Sequence, residues 1–545
     1  MSSIAVISVG AVILTTAYYV SQSSGKDRFW YWLAGRDYAE KQLEQQVLED
    51  PDPPLISNHT QYVETNGHQL RIVHIIHELG SKVPLLVFIH GLGAQASQWI
   101  NQIEYFSTYG HVLAIDIIGC GKSDQDLSWS AYTSEAIVND IRKLLETRYQ
   151  SQSMVIIAHS FGCSIATYLA GSSSLVPCIK GMVLIAPKAH IDEKQKKGIR
   201  VLRWVPDWLF DGLRVADRKG GLESKSVHRM LGATSDEDLK RRQLRWNLMS
   251  RSAVYKRMVC GTTWPTPADY QKVACPVLLI GAEKDNVVPA DDAKTIEGYL
   301  VARKPLANGS SSASSHDQVV EHYIVPGAGH QVMIVNPELV NPVITEFLIK
   351  KCGLDTLSGA WQILNKTAGE NKWDLKNYEK WKRTDIISFT KIGPSMFRAM
   401  KVMRQTDPDH SPSAFIAKHP EIGYIIDISK DTPPYRPSDF ENSHINYQKL
   451  STVSKIPPTR EDVERFIKLA SACWDERPDL QIAVHCHYGF NRTGFFICCY
   501  MIERLAVSVP DALRFFEDAR PPGIRHAHFK DELYLRYVLH RSPSS

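Results

Sequence analysis

A chain of 545 residues is long enough for several domains, each with its own core, and a net charge of +4 gives no mandate for nucleic-acid binding. Its ten cysteines carry no Cys-x-x-Cys pair, which excludes a disulfide framework and a zinc signature and suits a reducing compartment. Composition is ordinary for a globular protein, and there are no internal repeats.

Ile4 to Val20 is apolar apart from Ser8, Thr15 and Thr16, and it carries no charge. It predicts a membrane-anchor helix within residues 1–25, slightly short for a full span; the competing reading is an apolar helix packed on the next domain. Lys26, Arg28 and Arg36 follow it and nothing basic precedes it, which places the rest of the chain on the cytosolic side. No small-residue cleavage site stands out, so a retained anchor is expected rather than a cleaved leader. Residues 26–54 read as a connector with a charge-rich, solvated helix from Arg36 to Glu49, ended by Pro51, Pro53 and Pro54.

Residues 55–353 form the first large unit. Alternation from Tyr62 to Ile76 predicts two edge strands around the Asn66-Gly67 turn. Buried strands are expected at 85–89, 112–115, 154–158, 182–186, 277–280 and 322–325, with helices at 133–149 and 161–170. This alternation implies a mainly parallel α/β sheet covered on both faces. About 190–272 is helical and reads as a cap, whose Trp204, Trp208, Leu209 and Phe210 either offer apolar surface to substrate or form the cap's own core. Residues 308–315 read as a flexible loop. Asp116 to Ser123 imitates a nucleotide-binding loop, but Asp116 stands where that pattern needs Gly, and the reading is rejected.

Within this unit Ala158-His159-Ser160-Phe161-Gly162 joins a strand to a helix. It is a nucleophile elbow, with Ala for the first Gly of G-x-S-x-G. Small flanks let the strained turn lift the Ser160 hydroxyl above the sheet. The loop His90-Gly91-Leu92-Gly93 can supply one oxyanion N–H from Leu92, with Phe161 supplying the other. Asp285 after a late strand is the expected acid, and His330 in Pro326-Gly-Ala-Gly-His330 the expected base. His90 and His159 are expected to shape the loops. The chain order Ser, Asp, His resembles the α/β-hydrolases, and the resemblance implies a serine hydrolase acting on an acyl ester.

Residues 354–371 read as a linker, and 372–545 as a second α/β domain. Its sharpest feature is the stretch from Val484 to Gly494, entered by an apolar strand and left by an apolar helix. Five residues separate Cys486 from Arg492. Such a loop turns its backbone N–H groups inward at a helix N-terminus, which cradles a phosphoryl group and stabilises a thiolate on Cys486. The phosphate-binding set is His487, Tyr488, Gly489, Phe490, Asn491, Arg492 and Thr493, with Arg492 the two-pronged grip and Thr493 a donor to the leaving sulfur.

This loop, with Tyr424 to Ser429 before it and Ala519 to Ile524 after it, resembles the Cys-x5-Arg phosphatases. Its closer likeness is to cysteine-dependent RNA 5′-triphosphatases, including the first domain of metazoan mRNA capping enzymes. The resemblance implies a phosphocysteine intermediate and a substrate that is either an RNA 5′ end or a phosphoprotein. It implies no cofactor and no metal. His485 is expected to orient the loop. Asp427 matches the family's aspartate and either assists electrostatically or caps the turn at Ser429. Lys430, Arg436, Arg520 and Arg525 are candidate RNA-backbone contacts or solvated surface.

Residues 449–459, where related protein phosphatases carry a general acid, hold no carboxylate. A tyrosine oxygen, with a pKa of about 10, needs a proton as it leaves. A phosphate oxygen, near about 6, can leave as an anion. The missing acid favours a phosphoanhydride. Other readings are a dual-specificity protein tyrosine phosphatase, or a fusion in which one domain is a silent binding module. Asn491-Arg492-Thr493 is a formal glycosylation sequon inside the phosphate loop, a further reason to expect both domains in the cytosol.

Overall fold

The computed structural model describes residues 30–539 except 32, 233, 235, 303–318, 360, 363–374, 431 and 454. The expected anchor at 4–20 and the expected loop at 308–315 lie outside the described residues. Among the described residues no helix is long and apolar enough to cross a membrane. The chain divides into two compact units at Leu354/Asp355.

The first unit is built on β1 (Thr60–Thr65), β2 (His68–Ile75), β3 (Leu85–Ile89), β4 (His111–Ile115), β5 (Met154–His159), β6 (Ile179–Ile185), β7 (Val277–Ala282) and β8 (Val320–Val325). They lie in the order β1-β2-β4-β3-β5-β6-β7-β8. β2 is antiparallel to β1 and to β4, and the other pairings are parallel. β3, β4, β5 and β7 are buried along their whole length, as strands covered on both faces must be, which is why they read as unbroken apolar runs. Asn66 and Gly67 take positive φ, 50° and 83°, as a two-residue hairpin turn requires. Of this expected edge pair only β1 is an edge, since β4 pairs with β2, and β8 forms the opposite edge of the sheet.

Two expectations change here. The charge-rich helix, Tyr38–Glu49, is more than a solvated face. Val47 is fully buried in a cluster with Val227, Leu231 and Leu244 of the cap, and Glu44 pairs with Arg36 and Arg218. Trp204 belongs to no core, being 85% exposed at the end of the cap helix Glu193–Trp204. The rejected nucleotide loop is filled by its own carboxylate. Asp116 accepts from Ala96 N, Lys122 N and Arg71 Nε, and a Cβ on Gly121 would stand 2.1 Å from its Oδ2.

The second unit holds a four-stranded parallel sheet of β9 (Phe397–Met400), β10 (Ile422–Asp427), β11 (Asn446–Lys449) and β12 (Gln481–His485), in the order β11-β10-β12-β9. Helix Arg460–Glu476 starts from a capping box of Thr459 and Asp462. Helix Asn491–Leu505 is buried from Arg492 through Met501. Its Phe495 and Phe496 join Phe397, Phe466 and Val484 in one core beneath the phosphate loop.

Two candidate active sites

Ser160 leaves β5 with φ 52° and ψ −118°. That strain is held by a hydrogen bond from its N–H to Ile185 O, 2.8 Å, and by close packing. A Cβ on Gly162 would lie 2.5 Å from Ile89 O, so only Gly fits there. Ala158 is fully buried within β5. His330 follows β8, and its loop is tied to the cap by Gln331 N donating to Met230 O.

The expected trio meets. Ser160 Oγ lies 3.2 Å from His330 Nε2, and His330 Nδ1 donates to Asp285 Oδ2 at 2.8 Å. Burial alone would push the Asp285 carboxyl up. His330 and the N–H groups of Val287 and Val288 outweigh that and hold it below the usual carboxylate range. A carboxylate fixed there selects the imidazole tautomer that can take a proton from Ser160. His159 is neutral: burial and then the neighbouring His330 push its pKa down to about 3, and its Nε2 donates to His330 O. His90 accepts from Ile117 N and donates to Gly91 O, which shapes the loop carrying Leu92. Leu92 and Phe161 both line the cavity that holds Ser160 and His330.

That cavity, about 790 Å³, runs between the sheet and the cap. Ile199, Leu202, Phe210 and Leu213 bring apolar surface to it from the cap. Phe210 is therefore the one of the four apolar cap candidates with the clearest inward place. Arg214 and Trp246 also line the cavity. No local pattern marks them, because the cap's helices meet the cavity by tertiary packing.

In the second unit Cys486 follows β12 and accepts a hydrogen bond from Thr493 Oγ1 at 3.3 Å. Gly489 has φ 75°, and a Cβ there would stand 2.2 Å from Met400 O. Burial pushes the Cys486 thiol up. Arg492, the Thr493 hydroxyl and the N–H groups of Gly489 and Thr493 outweigh burial, so the net shift is down. Arg492 is buried, and its Nη1 donates to Ile428 O and Thr452 O, both at 3.1 Å. A thiolate beside a fixed guanidinium and inward-facing amides can attack phosphorus and hold the oxygens around it. The thiolate is the reactive form, so alkylation by iodoacetate should accelerate as pH rises through the depressed Cys486 pKa. Arg492→Ala removes the largest stabilising charge. It should move that midpoint upward by a unit or more (about tenfold slower alkylation at neutral pH). An unchanged profile would mean the amides alone set the pKa.

His485 is fully buried. Its Nε2 meets Tyr435 OH at 2.7 Å and its Nδ1 lies 3.1 Å from Cys486 O. Asn491 Oδ1 accepts from the N–H groups of Arg525 and His526, tying the loop to the segment after Ala519. His487 is held neutral, its pKa pushed down to about 4 by burial and then by Arg404 and Arg492. Tyr488 is propped through its carbonyl by Arg520 Nη2 at 3.1 Å, and Phe490 lies under Arg525, 3.7 Å from ring centroid to Cζ.

These contacts correct one expectation, for Arg520, and for Asp427 they show the turn cap that was one of its two expected roles. Arg520 is 2% exposed and braces the loop from behind, so it is no surface contact for RNA. Lys430, Arg436 and Arg525 are exposed. Asp427 is fully buried and accepts from Ser429 N and Oγ, from Tyr447 OH and from Lys449 Nζ. It caps the turn at Ser429. Burial would raise its pKa, but His485, Lys449 and Ser429 outweigh that and hold it ionised, with no proton to give. Tyr435, Tyr447, Lys449 and Arg404 escaped the sequence reading because they belong to no motif.

Asp427→Asn should lower stability by about 2–3 kcal/mol near neutral pH, the scale of a buried charge-assisted network. Its folded pKa is depressed, so this stabilisation is present above the unfolded carboxylate value and is lost as pH falls through the folded one. The Tm gap between variant and wild type should close below about pH 4. A gap that stays constant on acidification would remove the charge from the explanation.

Comparison with known proteins agrees with this geometry. The model of the alpha/beta hydrolase family matches residues 86–343, and that of the dual specificity phosphatase catalytic domain matches residues 405–537. The mRNA-capping enzyme of Danio rerio is 40% identical over 118 residues, 22% of this chain and 20% of that protein. An abhydrolase domain-containing protein of Schizosaccharomyces pombe is 30% identical over 238 residues, 42% of this chain and 65% of that protein. A putative tyrosine-protein phosphatase of Orgyia pseudotsugata multicapsid polyhedrosis virus is 29% identical over 132 residues, 24% of this chain and 60% of that protein. The chain thus spans about a fifth of the capping enzyme's length and just under two thirds of the yeast protein's.

Proposed function

We propose that this chain, an α/β-hydrolase family domain joined to a dual specificity phosphatase catalytic domain, is a bifunctional hydrolase with two independent covalent nucleophiles. The first domain cleaves an acyl ester. The observation that carries this is the Ser160–His330–Asp285 relay of 3.2 and 2.8 Å. Ser160 attacks the acyl carbonyl while His330 takes its proton. The N–H groups of Leu92 and Phe161 receive the oxyanion. His330 returns the proton to the departing alkoxide, and water releases the acyl group.

The second domain removes phosphate through a cysteinyl-phosphate on Cys486, with Arg492 and the loop amides holding the equatorial oxygens. As sulfur departs, Thr493 donates to it. The substrate we infer is a phosphoanhydride such as an RNA 5′-triphosphate. The support is chemical: residues 449–459 carry no acid, and Asp427 is held ionised by four donors. A leaving group that departs as an anion fits that environment. Similarity to capping enzymes points the same way, whereas the viral relative keeps a tyrosine phosphatase as the second reading. The test is kcat/KM for γ-phosphate release from triphosphate-ended RNA against dephosphorylation of phosphotyrosine peptides, with one preparation. Preference for the anhydride by about tenfold or more is expected, one decade being about 1.4 kcal/mol of transition-state stabilisation. A clear preference for phosphotyrosine would overturn the substrate and direct mutagenesis to Asp439 and Glu461.

Residues 4–20 are proposed to hold the protein on a membrane with both domains cytosolic, on the strength of their uncharged apolar run and the cations after it. Carbonate-washed membranes should retain the full chain, and deletion of the first 25 residues should release it. Protection of the second domain from protease in sealed vesicles would reverse the orientation.

A further inference from the structure

The cavity above Ser160 has an apolar wall and a cationic one. Lys188, Arg214, Arg218 and Arg229 all contribute to its lining. Two of these have carboxylate partners. Arg229 makes a two-point pair with Asp217, Nη1 to Oδ2 at 3.0 Å and Nη2 to Oδ1 at 2.6 Å. Arg218 Nε donates to Glu44 at 3.2 Å.

Arg214 is different. Its Nη1 donates to the carbonyl of Ser250 and to Ser252 Oγ, and its Nη2 donates to the carbonyl of Asn247 at 3.0 Å. None of these partners is a carboxylate. Nε–H and one N–H of Nη2 have no partner among the described residues. The Tyr255 ring lies against the guanidinium, 5.3 Å from centroid to Cζ. Burial and then repulsion from Arg218 push its pKa down, but only to about 10, so the cation persists at neutral pH. A charge taken out of water whose hydrogen bonds all go to neutral groups is costly, and Asp211 and Asp217 act on it only through space, without a hydrogen bond. One that keeps two N–H groups unused at the wall of a catalytic cavity is equipped to meet an anion with a planar fork.

Its position connects it to the chemistry. Ser250 and Tyr255, which Arg214 holds, pack on Gly93 of the oxyanion loop. A Cβ on Gly93 would stand 2.5 Å from Ser250 Oγ and 2.7 Å from Tyr255 Cδ2. Gly93 directly follows Leu92. The guanidinium is therefore linked to the oxyanion loop through one layer of residues, Ser250 and Tyr255. Apolar surface from Ile199, Leu202, Val259 and Trp264 also lines the cavity.

We propose that the substrate of this hydrolase is an amphiphilic acyl ester bearing an anionic group, carboxylate or phosphate, which Arg214 binds while the apolar part lies along the cap. The inference rests on the serine-hydrolase reading above and names its substrate class. The bond cleaved is the ester C–O bond, with the Ser160 proton passing through His330 to the departing alkoxide and water completing the cycle.

The test uses the full-length protein and two matched pairs. One is the mono-p-nitrophenyl ester of a medium-chain dicarboxylic acid against its methyl-capped counterpart. The other is a 1-acylglycerol 3-phosphate against the 1-acylglycerol. In at least one pair the anionic member should have kcat/KM higher by about tenfold or more, chiefly through KM, the scale of a charge-assisted pair of hydrogen bonds. The pair that responds distinguishes carboxylate from phosphate. Arg214→Gln should bring that ratio to near one, and Arg214→Lys should restore part of it. The ratio is the readout because losing the bonds to 247–252 can slow both substrates. A wild-type ratio near one in both pairs overturns the proposal, and that result needs no variant to fold. So does a preference that survives Arg214→Gln or vanishes in Lys188→Gln. Labelling of Ser160 by a fluorophosphonate separates the two failures. Labelled enzyme with no preference sinks only the anion inference. An unlabelled Ser160 with no ester cleaved sinks the serine-hydrolase reading and this inference with it.

Discussion

Cys486→Ser should abolish phosphate release from triphosphate-ended RNA and from phosphopeptides alike, by on the order of 10⁴-fold or more, the scale on which loss of a covalent nucleophile is felt. The loop stabilises an anion on sulfur through Arg492, Thr493 and two backbone N–H groups. That stabilisation is enough for a thiol, which ionises near neutral pH with modest help. It is far too little for a serine hydroxyl, which would remain protonated and poorly nucleophilic. Ester hydrolysis by the same preparation serves as the control for the amount of intact chain, because Ser160 belongs to the other compact unit. Arg492→Lys should be severely impaired too, since an ammonium cannot make the two-point grip. Phosphatase activity in Cys486→Ser within tenfold of wild type would move the nucleophile elsewhere.

Ser160→Ala should remove ester cleavage by on the order of 10⁶-fold, as loss of the nucleophile does in a serine triad, and leave phosphatase activity unchanged. It should also abolish fluorophosphonate labelling, which reads the activated hydroxyl directly. The complementary variant is Asp285→Asn. Here the nucleophile stays, but the group facing His330 Nδ1 no longer selects the tautomer that accepts the Ser160 proton. A loss of about 10⁴-fold in kcat is expected, with labelling slowed rather than lost. Labelling of a different serine in wild type would show that the elbow is a structural turn. Full activity in Asp285→Asn would separate the 2.8 Å contact from the chemistry.

The two nucleophiles were legible in the sequence because each makes most of its environment from its own neighbours. Ser160 is strained by the strand-to-helix turn that contains it, and Gly162 is small because Ile89 O lies against it. Cys486 is surrounded by N–H groups, a hydroxyl and a guanidinium from residues within seven positions of it. Motif spacing encodes such a site directly. The parallel sheet was legible for a similar reason: strands covered on both faces need unbroken apolar runs, and β3, β4, β5 and β7 supply them.

Other groups have roles that no spacing encodes. Chain order named Asp285 and His330, but folding alone brings His330 within 3.2 Å of a serine 170 residues away. Sequence alone allows Asp427 to be an electrostatic aid or a turn cap, and only the fold brings Tyr447 and Lys449, from β11, onto its second oxygen. Arg520 and Arg525 look alike in sequence. One is 2% exposed and braces the phosphate loop, and the other is exposed over Phe490. Arg214 and Arg218 lie at the end of one cap helix and Arg229 on a later one, and only packing decides that two meet carboxylates while the third meets carbonyls. The physical division follows from this. A backbone-built cradle depends on local torsions, which a few residues dictate by themselves. The work a charged side chain does depends on its solvation and its partners, and segments far away in the chain supply both.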